Sequence, residues 1–394
     1  MTDETYLPFA RPSITGAERD AVLEVLESGW LTTGAKARAF EIEFAAFVGA
    51  RYAVALNSAT AALHLALEAL GVGPDDEVIV PTWTFAASAE VVAYRGARAV
   101  LIDVDAATLN LTVDRVLAAV TPRTKAVIAV HIAGRPAPIR ELVEALEPLG
   151  IPVVEDAAHA FPSRMAPDGR MAGTIGRIGA YSFYATKTIT TGEGGMLVTD
   201  DEAIASRARL MSLHGIGRDA WKRYAAGGSW YYEIEEPGYK YNLTDMAAAL
   251  GLAQLSRADE LLDSRRQLVA WYREALGRDD AADIELPPDD DTGAHAWHLF
   301  IVRLQLERLD VDRAAVITRL GELGIGTSVH FIPLHRHPLY QRLGWRAGDF
   351  PVAESEYPRV ISLPLWPGMT RTDVERVSRA LLEIVGASSR VASA

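Results

Sequence analysis

Cysteine is absent from this chain of 394 residues. Without cysteine the protein has no disulfides, no thiolate metal ligands and no cysteine nucleophile. Histidine occurs at nine positions, but none of them lies in an HExxH pattern. The sequence therefore predicts no structural or catalytic metal site.

Basic residues and long apolar runs are also scarce. The formal net charge is −13 and no stretch is rich in lysine and arginine, which argues against binding to nucleic acid or to an anionic membrane. No uninterrupted apolar stretch approaches the roughly 18 residues of a membrane span, and no basic region followed by an apolar block opens the sequence. We therefore expect a cytoplasmic protein with no membrane span and no nucleic-acid partner.

Short apolar strands alternate with helices along much of the chain. Strands are predicted at 52–56, 77–80, 98–103, 125–131, 151–156, 179–184 and 195–199, and helices at 14–30, 37–48, 61–70, 86–94 and 139–148. Continuous valine and isoleucine runs separated by helices predict a mostly parallel sheet that is buried on both faces. Ligands bind to such sheets outside the carboxyl ends of the strands.

The last part of the chain has a different order of elements. Helices are predicted at 258–276, 312–323 and 371–386, with a strand around 297–304. This order suits a smaller α/β domain. We therefore predict a large domain over residues 1–255 and a smaller domain over residues 256–394.

A single lysine follows the apolar strand predicted at 179–184. Lys187 lies just before the glycine-rich turn at 192–195. A lysine just beyond a buried strand loses hydration, which lowers its pKa and makes it a nucleophilic amine that can form an imine. The alternative is a surface lysine beside a turn, and this segment alone does not decide between the two.

A turn rich in hydroxyl groups, residues 57–60, joins the first strand to a helix. Free N–H groups and the positive end of the helix dipole at Thr60 and Ala61 can bind a phosphate. The alternative is that Ser58 or Thr60 only caps the helix. The turn is not a Walker loop, because no GK[ST] follows it.

Asp156 ends the strand predicted at 151–156, and His159 follows three residues later. A carboxylate at the end of an apolar strand needs a partner, because burying it bare is costly. Asp156 can cap the next turn, or it can face the protonated ring nitrogen of a cofactor. His159 is either a hydrogen-bonded structural residue or a second polar group near the same point.

One cofactor accounts for these positions together. Pyridoxal 5′-phosphate needs a lysine for its imine, an acid at its pyridine nitrogen, a phosphate cradle at a helix start and an aromatic ring to stack on. Lys187, Asp156, the turn at Thr60 and Ala61, and Phe85 can fill these roles. Each of them alone has an ordinary structural explanation, so the prediction of this cofactor depends on their conjunction.

Four segments of the sequence resemble one protein family. Residues 57–85, 153–160, 181–195 and 237–255 are similar to the DegT/DnrJ/EryC1/StrS family of sugar aminotransferases, and within it to sugar-nucleotide 4-aminotransferases. The resemblance implies a fold-type I architecture, with a mainly parallel seven-stranded sheet in the large domain and a smaller C-terminal α/β domain. It also implies a homodimer whose active sites lie at the subunit interface.

The resemblance implies roles for individual residues. Lys187 would hold the cofactor and Asp156 would face its pyridine nitrogen. The other implied contacts are Phe85 on the cofactor ring, His159 near its 3-hydroxyl, Thr60, Ala61 and Ser182 at its phosphate, and Thr32, Thr33 and His330 at the substrate. Asn242, in preference to Lys240, is the residue expected to reach the phosphate from the second subunit.

The activity implied by the resemblance is amino transfer to a sugar. Glutamate would give its amino group to the cofactor, and the resulting pyridoxamine phosphate would pass it to a nucleotide-linked ketosugar. The expected acceptor is C4 of a dTDP- or UDP-4-keto-6-deoxyhexose or a related 4-ketosugar. The alternatives are a C3 ketosugar or a keto-inositol as acceptor, and a regulatory protein that binds pyridoxal phosphate without catalysis.

Overall fold

The central sheet lies in the N-terminal two thirds of the chain. The computed structural model describes residues 6–217, 231–277, 282–290 and 292–389, so the outer ends of both predicted domains lie outside the described residues. The strands of this part are β1 Tyr52–Leu56, β2 Glu77–Pro81, β3 Arg98–Ile102, β4 Thr124–Val130, β5 Val153–Asp156, β6 Arg164–Met165, β7 Arg170–Met171, β8 Ile178–Ser182 and β9 Gly195–Thr199.

Seven of these strands form one sheet in the order β1-β9-β8-β5-β4-β2-β3. Strands β8, β5, β4, β2 and β3 pair in parallel, whereas β9 pairs antiparallel with both β1 and β8. The predicted seven-stranded, mainly parallel sheet is therefore confirmed. Strands β6 and β7 form a separate short hairpin.

Helices cover both faces of the sheet. They are α1 Gly16–Ser28, α2 Ala35–Val48, α3 Ala59–Ala69, α4 Ala87–Tyr94, α5 Val113–Ala119, α6 Ile139–Leu146, α7 Glu202–Ser212 and α8 Asp245–Leu255. In β2, Val78 and Val80 pack into the same cluster as α3 and α4, whereas Ile79 packs with α5 and α6. Alternate residues of a strand face opposite sides, so the apolar runs are explained by burial on both faces.

The helix that follows the predicted phosphate turn, α3, starts at Ala59, two residues earlier than the sequence predicted. Ser58 is its N-cap, because the Ser58 hydroxyl accepts a hydrogen bond from the backbone N–H of Ala61 at 3.1 Å. Thr60 and Ala61 therefore lie inside the first turn of α3. Of the two hydroxyls that the sequence offered as caps, Ser58 fills that role.

The C-terminal part forms a second layer of helices and strands. Its elements are α9 Ala258–Leu276, β10 Ile284–Glu285, β11 Phe300–Leu304, α10 Arg313–Glu322, α11 Pro338–Arg342, α12 Pro351–Glu356, β12 Val360–Leu363 and α13 Arg371–Gly386. Strands β10, β11 and β12 form an antiparallel sheet. The sequence predicted α9 and α13 with these bounds, placed the start of β11 too early and missed β12.

Leu7, near the start of the described residues, packs on this C-terminal part. Leu7 belongs to the same buried cluster as α9, α10 and α13. Its backbone N–H donates to the carbonyl of Gly324 at 2.8 Å, and its carbonyl accepts from Gly326 at 2.9 Å. The division of the chain at residue 255 stays a prediction. Within the described residues, no helix is both long and apolar enough to cross a bilayer.

Gly195 packs directly against the start of α3. A Cβ atom at this position would overlap the backbone of Ser58 and Ala59. We therefore expect Gly195→Ala to lower the free energy of unfolding by about 1–3 kcal/mol, as measured by chemical denaturation. Gly16→Ala is the matched control, because a Cβ at Gly16 meets no atom within 4 Å. Equal free energies of unfolding for the two variants would contradict this packing.

Candidate active site

Asp156 and Lys187 lie at the same edge of the central sheet. Asp156 is the last residue of β5 and pairs with Ala180 of the parallel strand β8. Strand β8 ends at Ser182, and the chain then forms the loop that carries Lys187 before it returns along β9. Because the carboxyl ends of parallel strands meet at one edge, the two predicted groups come together there.

Lys187 is a partly buried amine that forms no hydrogen bond within the described residues. Burial lowers the pKa of Lys187 to about 8, from an ordinary value of 10.5. The negative charge of Asp156 opposes this shift, and the positive charge of Arg265 adds to it. Roughly a tenth of the amine is therefore neutral at pH 7, far more than for an ordinary lysine, and the neutral form is the one that a nucleophile requires.

Asp156 is a buried carboxylate with few partners. Its Oδ2 accepts from the Ser88 hydroxyl at 2.8 Å, and its Oδ1 accepts from the backbone N–H of Ala158 at 3.2 Å. Burial raises the pKa of Asp156, and these hydrogen bonds and the charge of Lys187 offset the shift only in part. A cationic ring nitrogen beside this carboxylate would supply the missing charge.

Glu155, the residue before Asp156, is also a buried carboxylate, but its pKa is shifted in the opposite direction. Glu155 is buried, and it accepts hydrogen bonds from His131 Nε2 at 3.0 Å and from the backbone of Gly173 and Ile175 at 2.7 Å each. Burial acts to raise the pKa of Glu155, but these hydrogen bonds bring it below its ordinary value. The hydrogen bonds of Glu155 thus outweigh the cost of its burial, whereas the two hydrogen bonds of Asp156 do not.

His159 is buried close to the same edge. Its ring centroid lies 4.3 Å from that of His298 and 5.6 Å from that of Phe331. Its Nδ1 is buried and has no hydrogen-bond partner in the described part of the chain. Burial, with the positive charge of Lys187 and the neighbouring His330, places the pKa of His159 well below 6.5. An unsatisfied buried nitrogen of this kind is consistent with a contact to a cofactor oxygen.

Phe85 offers an accessible aromatic face at this edge. It follows β2, its side chain is 60% exposed, and its ring lies 5.8 Å from that of Phe331. Trp83, two residues earlier, is buried, and its Nε1 donates to the carbonyl of His330 at 3.1 Å. Of these two aromatic residues, Phe85 is therefore the one that can stack on a bound ring.

The predicted phosphate cradle lies across neighbouring strand ends. Leu56 at the end of β1 pairs with Gly195 at the start of β9, and Gly195 pairs with Ser182 at the end of β8. Because a side chain at Gly195 would overlap the start of α3, only glycine leaves the first turn of that helix open beside Ser182. Gly195 thus connects Ser182 with the start of the helix that contains Thr60, and the phosphate contacts of Thr60, Ala61 and Ser182 stay a prediction.

Asn242 lies beside this cradle within the same chain. It forms a bridge with Leu56, its Nδ2 donates to the Thr33 hydroxyl at 2.6 Å, and its Oδ1 accepts from Lys240 Nζ at 2.6 Å. Its predicted reach to the phosphate of a second subunit stays a prediction. Lys240 has an exposed side chain.

The three predicted substrate residues lie in two groups. His330 stacks on Phe9 with ring centroids 5.2 Å apart, and burial, together with the smaller effect of the Lys187 charge, lowers the pKa of His330 to about 4. Thr33 contacts Asn242 and donates to the carbonyl of Leu243. The carbonyl of the neighbouring Thr32 accepts from Asp245. His330 is thus close enough to Lys187 to sense its charge, and hydrogen bonds join Thr33 to the Asn242 segment.

The loop that carries His330 and Phe331 is fixed to the end of β2. The backbone N–H of Leu334 donates to the carbonyl of Thr82 at 2.8 Å. The Thr82 hydroxyl also lies 2.7 Å from Nδ1 of His335, whose Nε2 lies 2.7 Å from Glu354. These contacts fix the C-terminal part of the chain over the sheet edge.

Sequence reasoning missed several residues of this site. Ser88, His298, Phe331 and Arg265 contact the predicted residues or lie beside them. Arg265 had a visible signal, because it occupies the apolar face of α9 between Leu261 and Leu268. A charged residue at a buried helical position needs a special partner.

Comparisons with known proteins agree with this geometry. A profile of the DegT/DnrJ/EryC1/StrS aminotransferase family matches residues 12–382. The spore coat polysaccharide biosynthesis protein SpsC of Bacillus subtilis is 48% identical over 382 residues, which cover 96% of this chain and 97% of SpsC.

Solved structures of similar proteins have the same fold. The putative sugar aminotransferase Spr1654 from Streptococcus pneumoniae, in its PMP form, has a TM-score of 0.89 and 33% identity, over 97% of this chain and 99% of that chain; it has also been solved in a PLP form. DesI, solved in the presence of its TDP-sugar product, has a TM-score of 0.85 and 33% identity, over 97% of this chain and 93% of that chain. The predicted fold is confirmed, and the chain belongs to the DegT/DnrJ/EryC1/StrS aminotransferase family.

Proposed function

We propose that this protein is a pyridoxal phosphate-dependent sugar aminotransferase. The observation that carries the proposal is the pair at the sheet edge, where the strands that precede Lys187 and carry Asp156 are parallel neighbours and the charges of the two side chains interact. Family membership and the PLP and PMP forms of Spr1654 support the same cofactor.

The residues at the edge fit this cofactor. Lys187 would hold its aldehyde carbon, Asp156 its pyridine nitrogen and Phe85 one face of its ring. The Nδ1 of His159 would meet the 3-hydroxyl, and Ser182 with the first turn of α3, Thr60 and Ala61, would hold the phosphate. When bound, pyridoxal phosphate supplies an electron sink that stabilises negative charge on the carbon that loses a proton.

Two side chains of this protein perform the proton chemistry. The Nζ of Lys187 would hold the cofactor and, when free, would accept a proton from the donor carbon and give it back. The carboxylate of Asp156 would favour a protonated pyridine nitrogen, because the buried anion would gain a cationic partner there.

We propose glutamate as donor and a nucleotide-linked 4-ketosugar as acceptor. The name of SpsC refers to polysaccharide biosynthesis, and DesI was solved with a TDP-sugar product, which supports a sugar nucleotide. Amination at C4, contacts from Thr32, Thr33 and His330, and a homodimer in which Asn242 reaches the partner's phosphate are proposed from the resemblance in sequence. A C3 ketosugar or a keto-inositol is the second candidate acceptor.

The proposed activity is tested with purified protein, pyridoxal phosphate, glutamate and a panel of acceptors. The panel contains dTDP- and UDP-linked 4-ketosugars, a 3-ketosugar nucleotide and a keto-inositol, and mass spectrometry detects the amino product. We expect amination of a 4-ketosugar nucleotide. Amination of the 3-ketosugar or keto-inositol alone would replace the proposed acceptor, and the absence of any half-reaction with glutamate would reject that donor.

Lys187→Ala removes the only group proposed to bind the cofactor covalently. We expect this variant to lose the visible absorbance of bound cofactor and all transamination, because no other amine replaces it. Lys125→Ala is the control, because Lys125 is an exposed lysine at the start of β4, far along the strand from the site edge. A coloured and active Lys187→Ala variant would overturn the assignment.

The pKa of Lys187 predicts how the apoprotein reacts with pyridoxal phosphate. The neutral amine is the reactive form, so the rate of cofactor addition should rise with pH through a midpoint near 8. Below that midpoint the rate should fall about tenfold for each unit by which the pH is lowered. Stopped-flow absorbance gives the pH profile of the rate. Nα-acetyl-lysine, whose side-chain amine is free and fully exposed to water, is measured in parallel as the reference. If the two profiles coincide, the burial of Lys187 does not shift its pKa.

A further inference from the structure

His298 lies in the site although neither the sequence nor the proposed mechanism uses it. It is 6% exposed, and its ring centroid is 4.3 Å from that of His159, with the planes tilted by 41°. Its Nδ1, like that of His159, is buried and has no partner in the described residues. Two buried imidazoles are therefore in contact beside the lysine that binds the cofactor.

A buried arginine fixes the backbone on both sides of His298. Arg265 on α9 is 2% exposed, and its Nη1 donates to the carbonyls of Trp297 at 3.2 Å, His298 at 3.3 Å and Leu365 at 2.9 Å. Within the described part of the chain this guanidinium forms no ion pair with a carboxylate. Its buried charge is balanced by carbonyl dipoles, so these contacts are costly to lose.

The opposite side of the same segment is fixed to the turn after β4. The backbone N–H of Ala296 donates to the carbonyl of Gly134 at 2.9 Å. A Cβ at Gly134 would lie 2.9 Å from the carbonyl oxygen of His159 and 3.0 Å from the backbone N of His298, and its φ is +95°. Only glycine permits this approach. It brings the backbones of His159 and His298 against one turn.

The backbone of Trp297, next to His298, adopts a conformation that its residue type disfavours. Its φ is +47°, a conformation that a bulky residue rarely adopts. Such conformations persist when the surrounding contacts determine them, and they cluster at functional sites. Here the contacts of Arg265 with the carbonyls of Trp297 and His298 supply that determination.

We propose that His298 is a positioning residue of the active site, whose ring fixes the orientation of His159 and is itself fixed by Arg265. The inference rests on the proposed function, because His159 is the group that would contact the cofactor. His159 has no hydrogen bond of its own at Nδ1 to hold its ring. Packing against the rings of His298 and Phe331 is what orients it.

The charges around the pair are compatible with close packing. Burial and the positive charge of Lys187, with contributions from Arg265 and His330, keep the pKa of His298 well below 6.5, and the pKa of His159 is lowered by burial, Lys187 and His330. Both rings are therefore neutral in the working pH range. Two neutral imidazoles stack without the repulsion of two cations.

The test compares two substitutions at His298. We expect His298→Ala to lose intensity in the visible circular dichroism of the bound cofactor and to lower kcat roughly tenfold to a hundredfold, with a smaller change in KM for glutamate. His298→Phe keeps a flat ring and should restore most of both signals. Thermal unfolding, measured beside them, reports stability alone, and a purely structural role would change only that measurement.

Arg265→Gln tests whether the arginine acts through His298. If it does, the double variant Arg265→Gln/His298→Ala should be no more impaired in dichroism and kcat than His298→Ala alone, because residues that act as one unit are not additive. Arg266→Gln is the matched control, because Arg266 is the next residue on α9 and pairs with Asp263 at the surface. It should behave as the wild type.

Several outcomes would overturn the inference. Wild-type dichroism and kcat in His298→Ala, or equal impairment of the phenylalanine and alanine variants, would reject a packing role for the ring. Additive losses in the double variant would reject the link to Arg265. Failure of the proposed function is recognised separately, because the wild-type protein would then bind no pyridoxal phosphate or transfer no amino group.

Discussion

The mutual compensation of two buried groups of opposite charge is the interaction on which the site depends. Asp156 ends a strand in the middle of the sheet, where burial raises its pKa, and Lys187 follows the neighbouring strand, where burial lowers its pKa. Each charge partly offsets the cost of burying the other. The parallel pairing of β5 and β8 creates this relationship, because it brings both strand ends to one edge.

The site is assembled by both parts of the chain. The sheet edge supplies the lysine, the carboxylate and the start of α3, whereas His298, His330 and Phe331 come from residues beyond 255 and cover that edge. The contacts of Thr82 with Leu334 and His335 tie the covering loop to the end of β2. Changes far along the sequence can therefore alter the geometry around Lys187.

The sequence predicted what depends on local pattern. Apolar runs gave the seven strands of the central sheet, and strongly periodic stretches gave α9 and α13 to the residue, whereas α5, α7 and α8 were not predicted. Strand β12 was missed because its four residues carry little pattern of their own and it is defined by pairing with β11. The roles of Arg265 and His298 depend on how the segment at 296–298 contacts both α9 and the turn after β4, and no local pattern records those long-range contacts.

Lys187 lies in the loop between two antiparallel strands, β8 and β9, and this position restrains its backbone. Strand β8 enters the loop at the sheet edge and β9 leaves it at the same edge, paired with β8 along its length. The loop is therefore anchored at both ends by adjacent strands, and the hydrogen bond from the Thr191 N–H to the Phe183 carbonyl at 2.9 Å closes it across its base. The backbone of Lys187 is thus restrained by the strands and by this hydrogen bond. The amine can therefore move relative to a bound cofactor only by rotation about the bonds of its four methylene groups.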